Sequence, residues 1–150
     1  MAFTNATFLS DTIKFIRDDL DNNITDPISS SRSGRERFVM TSYPSRPVKY
    51  PIITVRAANI KMVNRLGMQS ESVWMSVPIE IRVWARDQKE KDELTEQVFI
   101  RLKDNQFGAN STTDFELHDF ILNSSIEVDE DGKGNPKSRI MEYEYKLAVT

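Results

Sequence analysis

The chain has 150 residues, with 20 Lys plus Arg against 23 Asp plus Glu for a formal net charge of −3, one histidine and no cysteine. That balance disfavours broad attraction to polyanions, and the lack of cysteine removes disulfides and thiolate metal sites. No apolar run approaches the ~18 residues of a membrane span, and the opening MAFTNATFLSDTIKF carries no basic segment ahead of an apolar one, so the expectation is a single cytosolic domain over residues 1–150 with one core.

The first predicted element is a helix from about Thr7 to Ile24, because Leu9, Ile13, Ile16, Leu20 and Ile24 recur at helical steps and form one apolar stripe. Phe8 and Phe15 widen the stripe, whereas Asp18, Asp19 and Asp21 lie outside it and are expected in solvent. Asp26-Pro27 ends the helix, since the residue before a proline is pushed out of the α region. Thr25 to Arg37, TDPISSSRSGRER, is poor in apolar residues and sets Arg32, Arg35 and Arg37 around Gly34, which predicts a mobile loop. Two readings stay open there: a plain solvated loop, and a docking arm that orders on phosphate or on an acidic partner.

Phe38 to Tyr43 reads as a short strand, and prolines 44, 47 and 51 give an extended connection. Ile52 to Asn59, with Ile53, Val55 and Ala57 on one face, reads as a second strand extending towards Val63. The span from Pro44 to Ala57 leaves no room for a crossover helix, so parallel pairing is not expected there.

Val73 to Ala85 is the most informative stretch, because Val73, Met75, Val77, Ile79, Ile81 and Val83 alternate without a break against Trp74, Ser76, Pro78, Glu80, Arg82 and Trp84. Period two means one strand. It would span roughly 43 Å, against a diameter of roughly 38 Å for a compact chain of this length. Either Pro78, which cannot donate to a ladder, bends the strand back on its own domain, or the strand projects. In the second case another subunit covers the face carrying Trp74, Pro78, Glu80, Arg82 and Trp84, and an open strand edge supplies the contact. With Asn64 to Ser72 as the turn, the two strands form a long hairpin.

Asp87 followed by Glu90 matches a capping box, and Leu94, Val98 and Leu102, with Phe99 alongside, give the stripe of a second helix to about Lys103. After a polar loop at Asp104 to Thr113, Phe115, Leu117, Asp119 and Ile121 suggest a strand. Its parity changes by Leu122, Ile126 and Val128, implying a bulge or break near Asn123. A turn at Asp129 to Ser138 leads to a last strand, Ile140 to Val149, with Met141, Tyr143, Tyr145, Leu147 and Val149 on one face and Glu142, Glu144 and Lys146 on the other. The order predicts an α+β domain, a mainly antiparallel sheet with a long β-hairpin and two helices packed on one face.

Chemical motifs are weak. Glu127, Asp129, Asp131 and Gly132 fall at calcium-loop spacing, but the closing position is Ser138 rather than Glu and no helices flank the run. Gly132-Lys133-Gly134 lacks the spacing of a phosphate cradle. His118 could act as a base beside Asp114, Glu116 or Asp119, yet a lone histidine between acids on a surface strand is ordinarily only solvated. No catalytic residue, cofactor or metal is therefore expected.

At this point the chain resembles the tail terminator, or tail-completion, proteins of long-tailed phages and related viruses. The likeness lies in an amphipathic first helix, then Tyr50-Pro51-Ile52-Ile53-Thr54-Val55, then a strand VPIEIRVWARDQ running directly into the helix KEKDELTEQVFIRL, and a closing hairpin. It covers nearly the whole chain as an order of elements. The resemblance implies a structural virion protein without chemistry of its own, assembled in the host cytoplasm. It would form a homo-oligomeric ring, usually a hexamer, on the head-proximal end of the tail. There it would contact the tail tube protein and a head-completion or neck protein, stop tube growth and let DNA pass without sequence recognition or membrane contact. The long hairpin would then join an inter-subunit sheet, and Arg32, Arg35 and Arg37 would serve docking. Two other readings are another neck or head-completion connector, and a small nucleic-acid-binding module using the Arg32 to Arg37 loop with Arg46 and Lys49.

Overall fold

The computed structural model describes residues 8–34, 36–58, 61–65, 73–106, 118–128 and 136–149. Helix α1 (Phe8–Asn23) buries Ile16 and Leu20 of the predicted stripe and Thr12 beside it, with Ile24 beyond its end. Asp26 then turns the chain, its Oδ1 accepting from the Ile28 amide at 3.1 Å. A short 3-10 turn follows at Ser29–Ser31.

The strands are β1 (Val39–Met40), β2 (Ile52–Ala57), β3 (Lys61–Arg65), β4 (Val73–Ala85), β5 (His118–Val128) and β6 (Lys137–Val149), with helix α2 (Gln88–Gln106) between β4 and β5. They form one sheet in the order β1-β2-β4-β6-β5, with β3 pairing β4 in line with β2. Every pairing is antiparallel except β1 with β2. Both helices lie on one face of the sheet, as expected of an α+β fold. Ile16 and Leu20 of α1 and Leu94, Val98 and Leu102 of α2 share a core with Ile53, Val55, Val77, Ile79, Ile81, Val83, Met141, Tyr143 and Tyr145. Each such aliphatic side chain contributes about 1.5–3 kcal/mol when fully buried.

Helix α2 starts as its sequence dictates: the Asp87 carboxylate accepts from the Glu90 amide at 2.9 Å. The return half of the box is displaced by one residue, because Glu90 Oε1 accepts from the Arg86 amide at 3.1 Å and also takes the Arg86 guanidinium. Arg101 of α2 donates to Asp19 of α1 at 2.7 Å, so Asp19 anchors the helix pair instead of facing solvent.

Three expectations are corrected. Val39 and Met40 pair parallel with Ile53 and Thr54. The proline-containing segment 41–51 loops back without a helix, and a two-residue bridge needs no more than that. Second, Pro78 does not bend β4. Its carbonyl accepts from the Ala58 amide at 2.9 Å, so its missing N–H falls on the same side, where the β2 register (Ala57↔Ile79) gives way to the shifted β3 register (Lys61↔Ser76). A proline at such an irregularity costs the ladder little. Third, β4 does not project with an open edge. The equally long β6 pairs it from Val73↔Val149 to Ala85↔Lys137, and β2 and β3 occupy the other side. Its length is satisfied by a partner about sixty residues away in sequence, which local periodicity could not reveal.

Candidate functional site

The strand alternation leaves one face of the sheet without helices, and the residues singled out on β4 lie there. The registers order this face into rungs. One runs Ile52, Trp84, Ser138 and Val128; the next Thr54, Arg82, Ile140 and Ile126; the third Arg56, Glu80, Glu142 and Ser124. A fourth carries Pro78, Glu144 and Ile121. The face is apolar at the Trp84 end and acidic at the Glu142 and Glu144 end.

At the apolar end the Arg82 guanidinium carbon stands 3.7 Å over the Trp84 ring, and Arg82 Nη2 donates to Ser138 Oγ at 3.0 Å. Tyr43, from the segment after β1, also packs against Trp84, at 4.9 Å between ring centroids. Trp84 is thus half-buried within its own subunit. At the acidic end Glu80 and Glu142 sit directly opposite each other, a like-charge pair that local partners offset. Arg56 Nη2 donates to Glu80 at 2.9 Å, which raises the Arg56 pKa; Ser124 donates to Glu142 at 3.2 Å and Asn123 to Glu144 at 3.0 Å. Pro78 is half-buried, and Trp74 holds its register opposite Ala148, though its side chain lies outside the described residues.

The arginine loop divides. Arg32 is a staple: its guanidinium donates to Asp26 at 2.5 Å and to the Lys49 carbonyl at 2.8 Å, contacts the Pro51 carbonyl and lies 5.6 Å from the Phe38 ring centroid. Its side chain is only 5% exposed, which corrects the expectation of a free docking cation. Arg37 is exposed and lines a cleft of about 130 Å³ with Arg46 and Glu36, whose buried Oε2 has no hydrogen-bond partner among the described residues. An uncompensated acid oxygen there disfavours an anion. Arg35 lies outside the described residues.

Glu127, the first position of the calcium-like run, is committed elsewhere. It pairs with the fully buried Lys91 of α2 and lies 3.9 Å from Arg139, and hydrogen bonding from Lys91 holds its carboxyl below the usual range. Residues 129–135 of that run, and the His118 side chain, lie outside the described residues. Among the described residues no group of three or more His, Cys, Asp or Glu could hold a metal ion, and no helix is long and apolar enough to cross a membrane.

Sequence reasoning missed the margin of the sheet. β5 pairs with β6 alone among the described residues, leaving the other side of an eleven-residue strand open. Ile121 and Ile126 on it are 47% and 55% exposed, on the helix-free face. The signal was present in the parity change, since the register shifts between Leu122 and Ser124, as expected near Asn123, and again between His118 and Ile121. Those shifts turn both isoleucines away from the core.

No protein-family model matches the chain, and no curated protein matches it.

Proposed function

We propose that the chain is a structural assembly protein of the tail terminator type. It forms a homo-oligomeric ring at the head-tail joint of a virion, hexameric as in the family it resembles. The ring caps the tail tube and offers a surface to a neck protein, with no chemistry of its own. The observation that carries this reading is the open β5 margin with its two exposed isoleucines. A long bare edge of this kind invites pairing, and soluble chains ordinarily cover or blunt it. A second copy of the chain is one way to supply the cover. The element order that prompted the resemblance is also retained, from the amphipathic α1 through the direct β4-to-α2 step to the β5–β6 hairpin.

The test adds purified chain to growing tail tubes and images them. Density at one tube end and arrest of elongation are expected. A strict monomer over a wide concentration range, together with no binding to tube ends or to a neck protein, would remove the proposal.

A further inference from the structure

The sheet has a second open margin, and the two margins differ. β3 pairs only with β4 among the described residues, so its other side is bare as well. Its sequence, KMVNR, carries +2 from Lys61 and Arg65; β5, HDFILNSSIEV, carries −2 from Asp119 and Glu127 with His118 neutral. Glu127 is engaged by Lys91, but with its side chain 36% exposed it stays open to a further cation.

Self-pairing suits β3 poorly. Antiparallel pairing of Lys61–Arg65 with the same segment of another copy, centred on Val63, sets Lys61 against Arg65, a like-charge pair directly opposite. A strand of opposite charge suits β3 better. β5 has the opposite charge, and it also has the right length. Its two register shifts interrupt the edge before Ser124, leaving Ser124–Val128 as the stretch in constant register, five residues against the five of β3.

The strand directions agree. β5 runs antiparallel to β6 and β6 antiparallel to β4, so β5 points with β4, whereas β3 points against it. A copy turned about an axis inclined to the strands, so that its Lys61 rises from the level of Ser76 to that of Trp84, brings its β3 antiparallel to Ser124–Val128 of the first copy's β5, with all helices on one side of a continuous sheet. One contact of this kind covers both open margins; a two-fold contact through β5 covers only one. A contact between two different surfaces closes into a ring when its rotation permits.

We infer that Ser124–Val128 of one copy pairs antiparallel with Lys61–Arg65 of the next, joining successive sheets head to tail. This rests on the self-assembly proposed above, but not on what the ring caps. Ile126 gains cover at this junction, and salt weakens it through the charges involved.

Because the chain has no cysteine, introduced thiols report on the contact alone. Asn64→Cys on β3 is combined in one chain with Ser124→Cys, Ser125→Cys or Ile126→Cys on β5, and each single substitution is made separately. All are checked for unchanged circular dichroism and melting, and oxidised both at high concentration and on tail tubes. At least one double variant is expected to give a covalent ladder of multimers, and the single variants none. Dimers from a single β5 variant would overturn the inference in favour of a two-fold contact. Oligomers by sedimentation with no ladder from any pair would place the contact elsewhere, leaving the ring proposal standing. A monomer under every condition would remove both. Independently, Lys61→Glu with Arg65→Glu is expected to weaken assembly by about tenfold or more; unchanged assembly would count against the charge pairing.

Discussion

The two faces of β4 use the same backbone for opposite purposes. Towards the helices, Val77, Ile79, Ile81 and Val83 are fully buried and share one core with side chains of α1 and α2. On the other face Pro78, Glu80, Arg82 and Trp84 are half-buried, held by Arg56, Ser138 and Tyr43 in contacts that a side-chain change could rearrange. The first face fixes the fold. The second is held by lateral contacts among its own side chains.

Stability measurements can break that contrast. Ile79→Ala removes a side chain from the packed core and is expected to cost about 4 kcal/mol in chemical denaturation. Glu80→Gln on the next residue is expected to cost about 1 kcal/mol or less, since its partner Arg56 is largely exposed. Similar losses at the two positions would contradict the division of labour.

A parallel contrast within the arginine loop comes next in size. Arg32→Ala leaves the Asp26 carboxylate with the Ile28 amide but without its cation, takes this donor from two backbone carbonyls, and is expected to cost about 3 kcal/mol. Arg37→Ala, at an exposed position, is expected to stay within about 0.5 kcal/mol. If Arg32→Ala folds as well as the parent, the staple is not structural.

The smallest effects separate two buried tyrosines. Tyr145 shares a hydrogen bond of 2.6 Å with Thr12 of α1, so Tyr145→Phe should cost about 1 kcal/mol. The Tyr143 hydroxyl is buried with no hydrogen-bond partner among the described residues, its ring stacked on that of Phe120, so Tyr143→Phe should be neutral or stabilising. Burial pushes the Tyr145 hydroxyl up to about 12 from its ordinary 10.0, and burial likewise raises Tyr143. An acid whose folded pKa is raised holds its proton more tightly when folded, so stability is full below pH 10 and declines as pH climbs from about 10 to 12. Denaturation across that window should show the decline, and the double Phe variant should flatten it. At the acid end, protonating Glu127 uncovers the buried Lys91, so stability is lost as pH falls below the usual carboxyl range.

Much of the fold was legible because it is written in local periodicity. The stripe of α1, the Asp87 start of α2, the alternation of β4 and β6 and the irregularity near Asn123 all follow from steps of two, three or four residues. What was not legible is pairing between distant segments. Arg32 reads as a loop cation until the carbonyls of Lys49 and Pro51 are brought beside it. The overlong β4 reads as a projecting strand until β6 is laid along it. The open edge that the alternation of β4 suggested belongs instead to β5 and β3, where the sequence pattern is shortest or most broken.

The most direct measurement is amide hydrogen exchange of the chain from low to high concentration, alone and with tail tubes. Assembly through the sheet margins predicts that amides of Ser124–Val128 and Lys61–Arg65 gain protection together as copies associate, while those of Val77–Val83 stay protected throughout. Exchange at both margins that is identical at every concentration and on tubes would contradict it.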